Sequence, residues 1–289
     1  MDPTGVVSIS FTTRDGMTLR GDAWGSPDDA PVVLVHGGGQ TRHSWGGTAE
    51  ALAAHGWYAI AIDQRGHGES DRSPGAEYDA GHFGADLADV VTSLDRSPVV
   101  VGASLGGLAG LLVDGEYAPG AMAALVLVDI TPRQEAAGVD RIVGFMLDRA
   151  EEGFTDLDEV ADAIAAYQPH RERPTNLDGL RKNLRHDEDG RWRWHWDPRL
   201  FNEESGLRSA RVAARFETAA RGLTIPTLLV RGKLSDLVSE ETAREFLALV
   251  PHARFVDVSD AGHMVAGDRN DRFTESVVSF LGELQHLGE

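Results

Sequence analysis

The chain has 289 residues, 42% of them hydrophobic, a formal net charge of −19 and no cysteine. That length accommodates one large α/β domain, with or without an inserted segment, and buries a continuous core without covalent staples. The missing cysteines exclude disulfides, thiolate metal sites and a cysteine nucleophile, and the negative field opposes contact with nucleic-acid phosphates or anionic lipid.

No basic and apolar leader is read at the N-terminus, and no apolar stretch reaches the roughly 20 residues of a membrane helix. The expectation is a cytoplasmic protein acting on a small-molecule substrate, with no nucleic acid and no membrane as partner.

In chain order, residues 6–12 and 18–24 alternate apolar and polar side chains about Arg14-Asp15-Gly16, which predicts a hairpin. Residues 32–35 form a short apolar strand pattern that ends in His36-Gly37-Gly38-Gly39. Residues 47–55 are helical in pattern, 58–62 strand-like, and 63–73 a polar loop. Phe83, Leu87, Val90, Val91 and Leu94 give residues 82–94 helical spacing. Strand patterns at 99–101 and 125–130 flank a helical one at 108–113. From 133 to 222 the patterns are helical, with no convincing strand, and strand patterns resume at 227–230 and 254–258. Alternating strand and helix patterns predict a mainly parallel sheet. The chain divides into a core (1–132 and 223–289) and a helical lid (133–222) over the carboxyl edge of the sheet, where ligands bind in open α/β sheets. The acidic runs 148–152 and 156–159 read as solvated helix faces, and Asp268-Arg269-Asn270-Asp271 as the cap of a final helix.

Gly102-Ala103-Ser104-Leu105-Gly106 fits G-x-S-x-G. Alone it is a weak match. A Val-Val-Val strand before it and an apolar helix after it supply the strand–turn–helix setting that exposes a nucleophilic serine. The helix N-terminus offers free N–H groups to developing negative charge, and Leu105 N–H is the first candidate oxyanion donor. Glycines after residues 32–35 let backbone approach a substrate oxygen, and Gly38 N–H is the second. No Lys-Ser/Thr follows them, which excludes a phosphate loop.

Asp260-Ala261-Gly262-His263-Met264 follows the last strand pattern, and a loop there can return His263 to Ser104 as its base. Asp236, after residues 227–230, completes the order Ser…Asp…His, with Asp129 as the alternative acid. The acid holds the histidine tautomer and stabilises the imidazolium. His36 and His67 sit beside glycine turns and support loops. His186 with Asp187, and His195 with Asp197, lack the further partners that a metal site requires.

Taken together, these motifs resemble the α/β-hydrolase superfamily, in its lid-bearing branch of esterases, meta-cleavage-product hydrolases and cofactor-free haloperoxidases. His36-Gly37-Gly38-Gly39, Asp63-Gln64-Arg65-Gly66-His67-Gly68-Glu69-Ser70, residues 102–107, Ser235-Asp236 and Gly262-His263 carry the likeness, across roughly two-thirds of the chain. The resemblance implies an α/β-hydrolase fold and a Ser104–His263–Asp236 triad that cleaves a small-molecule carboxylic ester through an acyl-enzyme, with no cofactor and no metal. Three departures stand out. Many relatives place the acid where Ser235 stands, one residue before Asp236. Gly39-Gln40-Thr41 replaces the Gly-Pro-Gly that meta-cleavage hydrolases resemble. Ser104 replaces the elbow aspartate of epoxide hydrolases and haloalkane dehalogenases, which fits acyl transfer. Carbon–carbon or lactone cleavage by the same triad, and a ligand-binding receptor on this fold, are the alternatives.

Trp192, Trp194 and Trp196 alternate about Arg193 and His195. On an extended stretch the three indoles share a face. They form either an aromatic wall of the substrate pocket, with His195 beside it, or the anchor of the lid.

Overall fold

Burial on both faces of a sheet removes the polar alternation from its strands, and that explains the short uninterrupted apolar runs of this sequence. The computed structural model describes residues 5–167, 173–201, 210–259 and 271–287. Strands β1 (Val7–Thr12) and β2 (Thr18–Trp24) form the expected hairpin. There follow β3 (Ala30–Val35), α1 (Gly46–Ala54), β4 (Trp57–Ile62), α2 (Ala80–Thr92), β5 (Val99–Ala103), α3 (Leu105–Leu112) and β6 (Ala124–Val128). After an intervening segment come β9 (Thr227–Gly232), α8 (Glu240–Leu249), β10 (Arg254–Val258) and α9 (Asp271–Leu287).

The sheet has eight strands in the order β1-β2-β4-β3-β5-β6-β9-β10. The pairings of β1 with β2 and of β2 with β4 are antiparallel, and the rest are parallel. Successive residues feed opposite cores, as the period of a strand requires. Val33, Val35, Val100, Leu125 and Leu127 face α2 and α3 in one core. Val32, Leu34, Val99, Val101 and Val126 face α1 and α9 in the other. β4 lies on one side of β3 and β5 on the other, so the order in which strands are added switches sides between β3 and β5. The crevice outside the carboxyl ends of such a pair is where open α/β sheets hold ligands.

Between β6 and β9 lie α4 (Ala136–Leu147), α5 (Leu157–Tyr167), the single turn α6 (Leu177–Leu180), β7 (Leu184–His186), β8 (Trp192–Trp194) and α7 (Ala210–Arg221). The hairpin of β7 and β8 corrects the expectation that this stretch lacks strands. Three residues are too few to display period two. The fold of the hairpin comes instead from its turn, where Gly190 takes φ +78° and donates N–H to Asp187 O. Residues 268–270, read as a helix cap, lie outside the described residues. Among the described residues no helix is long and apolar enough to cross a membrane.

Candidate active site

Ser104 joins β5 to α3 at φ +47° and ψ −115°, a conformation that L-residues rarely adopt. Its neighbours must be small for that turn to form. A Cβ on Gly102 would stand 2.5 Å from the Gly106 carbonyl, and one on Gly106 would stand 2.5 Å from Val35 O. Ser104 N–H donates to Val128 O at 3.1 Å, which ties the turn to the end of β6. The serine begins α3 without capping it, so its Oγ makes no hydrogen bond among the described residues. Leu105 N–H, the first of the helix, also has no partner among them.

The loop after β3 runs directly beside this turn: a Cβ on Gly37 would lie 3.2 Å from Ser104 Cβ. Its backbone is nearly saturated. Gly37 N–H donates to Gln40 Oε1 at 3.0 Å, Gly39 N–H to His67 Nε2 at 3.1 Å, and Gln40 N–H to Gly37 O at 3.2 Å. Among the described residues, Gly38 N–H is without a partner, while Gly37, Gly39 and Gln40 N–H on either side of it are bonded. His36 Nδ1 donates to Gly37 O at 2.7 Å, and its Nε2 accepts from Gln64 N–H at 3.0 Å. The imidazole is therefore neutral, and burial pushes its pKa down to about 4.

The two candidate acids have different surroundings. Asp129, the residue after β6, is fully buried at φ +50°. Its Oδ1 accepts from Gly232 N–H at 3.0 Å and its Oδ2 from Ser235 Oγ at 2.6 Å. Ser235 Oγ in turn accepts from Leu237 and Val238 N–H, each at 3.1 Å, which leaves its own proton for Asp129. Asp236 turns toward the intervening segment and pairs with Arg141 at 2.8 Å. Nearby, Tyr167 is pushed up to about 12, chiefly by burial and further by the Asp236 charge. His263 and the rest of the 260–264 motif lie outside the described residues.

Of the three tryptophans, Trp194 and Trp196 are brought together. Both are buried and their rings stack at 4.8 Å and 9°. Trp192 is half-buried and packs instead on His186 and beneath Arg181. His195 is half-buried and takes no part in the stacked pair; burial lowers its pKa against the opposing charge of Asp63. The stacked pair is anchored to the core: Asp197 N–H donates to Gly66 O at 2.8 Å and Tyr78 hydroxyl to Asp197 at 2.7 Å. It also overhangs the glycine loop, since a Cβ on Gly39 would stand 2.5 Å from Met146 Cε and 3.4 Å from Trp196.

The sequence matches the model of the α/β hydrolase fold over residues 30–269. The chain belongs to the α/β-hydrolase family. This hydrolase is 31% identical to esterase Rv0045c of Mycobacterium tuberculosis over 266 residues, 89% of this chain and 84% of that protein. A crystal structure of that esterase superposes with a TM-score of 0.75 at 28% identity, covering 96% of this chain and 91% of the other. The hydrolase is also 31% identical to 2-(acetamidomethylene)succinate hydrolase of Mesorhizobium japonicum over 234 residues, 77% of each chain. The crystal structure of E-2-(acetamidomethylene)succinate hydrolase superposes with a TM-score of 0.81, covering 96% of this chain and 99% of the other. At 24% identity that likeness shows the fold alone.

Sequence reasoning gave Gln40 no role and counted His67 only as loop support. The structure puts both into the hydrogen bonding of the hydrolase's glycine loop. The signal available was the run of glycines itself: backbone held in a ligand-facing turn needs side-chain partners for its N–H and C=O groups.

Proposed function

We propose that this hydrolase cleaves a small-molecule carboxylic ester by two-step acyl transfer, with Ser104 as nucleophile, His263 as general base and Asp129 as the acid. The observation that carries the reading is the strained Ser104 with its uncommitted hydroxyl, flanked by two N–H groups, Gly38 and Leu105, that have no partner among the described residues. A rarely populated backbone conformation held at a polar residue points to function, and donors aimed at a developing oxyanion are the largest single contribution to this chemistry. The similarity to an esterase supports the ester as substrate.

Asp129 is preferred to Asp236 on geometry. It follows Val128, the residue bonded to Ser104 N–H, and is fixed by two donors in a buried pocket. Asp236 is partly exposed and its charge is answered by Arg141. The place of His263 rests on the sequence order alone.

In the reaction, Ser104 Oγ attacks the ester carbonyl as His263 takes its proton. Gly38 and Leu105 N–H bind the oxyanion. Collapse breaks the bond to the alkoxide, which leaves as alcohol with the proton from His263. Water, deprotonated by His263, then attacks the acyl-enzyme, and the acid departs as the proton returns to Ser104. The residues between β6 and β9 act as a lid, with Trp196 and Met146 as its lower surface over the glycine loop.

A second reading replaces the ester by a non-ester acyl substrate at the same residues. The similarity to an enzyme that hydrolyses 2-(acetamidomethylene)succinate favours it. A chromogenic ester series of increasing acyl length, with wild type beside Ser104→Ala, separates the cases. Turnover that disappears in the variant supports the ester reading. No turnover by either protein rejects it in favour of the second, and equal turnover by both removes Ser104 from the mechanism.

A further inference from the structure

Gly38 sits between two peptide planes, the first of which carries its N–H. In a trans peptide the N–H points opposite to the preceding carbonyl. Gly37 O is held by His36 Nδ1 and by Gln40 N–H, so the plane before Gly38 is fixed. The plane after it carries Gly38 O and Gly39 N–H, and the latter donates to His67 Nε2.

His67 is suited to be that acceptor and nothing else. Its Nδ1 lies 3.0 Å from Arg65 O, and a carbonyl can only accept, so Nδ1 carries the proton and Nε2 is a lone pair. The ring is fully buried, edge-on to His36 at 4.9 Å and to Phe83 at 6.5 Å. Burial pushes its pKa down to about 3, with the neighbouring His36 adding to the effect, so the lone pair survives across ordinary pH. The segment that carries it is rigid. Arg65, two residues earlier, is held by Asp86 and Asp15, and Gly66 O accepts from Asp197 N–H.

We propose that His67 is a positioning residue for the oxyanion loop: by accepting from Gly39 N–H it anchors the Gly37–Gln40 turn to the rigid segment behind it, so that the plane carrying Gly38 N–H keeps its place beside Ser104. The proposal rests on the reading of Ser104 as nucleophile and adds a residue outside the triad. Glycine on both sides of Gly38 makes the anchor necessary, because such backbone otherwise samples many conformations.

The test compares wild type, His67→Phe and His67→Gln with a chromogenic ester, measuring kcat, KM and inhibition by an alkyl boronic acid that mimics the tetrahedral state. Phenylalanine keeps a ring but removes the acceptor. Glutamine supplies an oxygen with comparable reach. The expected result is a fall in kcat of about 10–100-fold for His67→Phe, somewhat less than outright loss of an oxyanion donor. KM stays within about threefold and boronic acid affinity falls with kcat. His67→Gln returns to within about fivefold of wild type. A folded His67→Phe protein with wild-type kcat overturns the proposal, as does a glutamine variant as impaired as the phenylalanine one. The nitrogen-15 spectrum of wild-type His67 gives a check that needs no variant: the proposal requires a proton on Nδ1 and a bare Nε2, and a protonated Nε2 sinks it. Activity that persists in Ser104→Ala would instead remove the nucleophile reading while leaving that tautomer result standing.

Discussion

Ser235 donates its hydroxyl to Asp129 Oδ2 at 2.6 Å, although the two residues are separated by 106 positions and lie beyond different strands. Ser235 follows β9, and its hydroxyl orients a carboxylate that arrives from the end of the neighbouring strand, β6. Asp129 pays for this position with a left-handed backbone, which fits a site held in strain by its surroundings.

Replacing each aspartate by asparagine distinguishes the two acids. Asp129→Asn keeps the shape but removes the charge, and if Asp129 is the acid proposed above kcat is expected to fall by about 10³–10⁴-fold. Asp236→Asn breaks a half-exposed ion pair with Arg141. Its expected cost is at most about 1 kcal/mol of stability, and kcat stays within a few-fold. Steady-state kinetics and urea denaturation of the two variants decide between them, and the opposite pattern would return the role to Asp236.

The core strands were legible because burial on both faces writes them as apolar runs between glycine turns, and β3, β5 and β9 each lead into a loop of the candidate site. The site was legible where a motif forces geometry. The small residues about Ser104 are needed because Gly102 and Gly106 pack backbone against backbone. The acid was harder to read. Asp236 and Asp129 both follow strands, and only packing shows that one meets Arg141 while the other meets Ser235 and Gly232. The tryptophans were read by local period alone. The bend after β8 stacks Trp196 on Trp194, whereas Trp192 is drawn to His186 by the hairpin.

The two buried histidines predict a pH dependence of stability. His36 and His67 are held below the usual 6.5, to about 4 and about 3. Between those values and 6.5 the unfolded chain binds protons that the folded chain refuses, so stability falls as pH drops. Each group contributes a slope of about 1.4 kcal/mol per pH unit across pH 6 to 4.5. His43 and His195, also lowered by burial, act in the same direction. Asp15 and Asp79, held below 3.8, add to the loss only at lower pH. Urea unfolding midpoints at pH 7, 6 and 5 should show the slope, and His67→Gln should remove about half of the part due to the two buried rings. An unchanged slope in that variant would rule out His67 as its source.

Arg65 is buried with its guanidinium on Asp86 at 2.5 and 2.6 Å and on Asp15 at 2.8 Å. The pair joins the loop below the glycines to α2. Removing one partner of a buried pair strands the other. Asp86, whose pKa burial already raises, would be left as an unanswered carboxylate or a forced acid. Arg65→Met is expected to cost about 3–5 kcal/mol. Because the same loop carries His67, activity near the melting transition should decline before the bulk of secondary structure does. Parallel circular dichroism and ester turnover on heating would test this, and coincident curves would count against local coupling.

Met146 lies where the intervening segment meets the glycine loop, close enough that any side chain on Gly39 would strike its Cε, with Trp196 beside it. Met146 is buried, so Met146→Ala is expected to cost about 2–4 kcal/mol through the cavity it leaves. If this contact forms the ceiling of the acyl pocket, the same cavity accepts substrate, and the variant's optimum in the ester series moves to an acyl chain longer by about two or three carbons. Trp192→Ala is the control. Its ring is half-buried beside His186 and Arg181, away from Gly39, so it leaves the optimum unmoved. A shift in both variants would point to loosening of the whole segment, and a shift in neither would place the acyl group on the other side of Ser104.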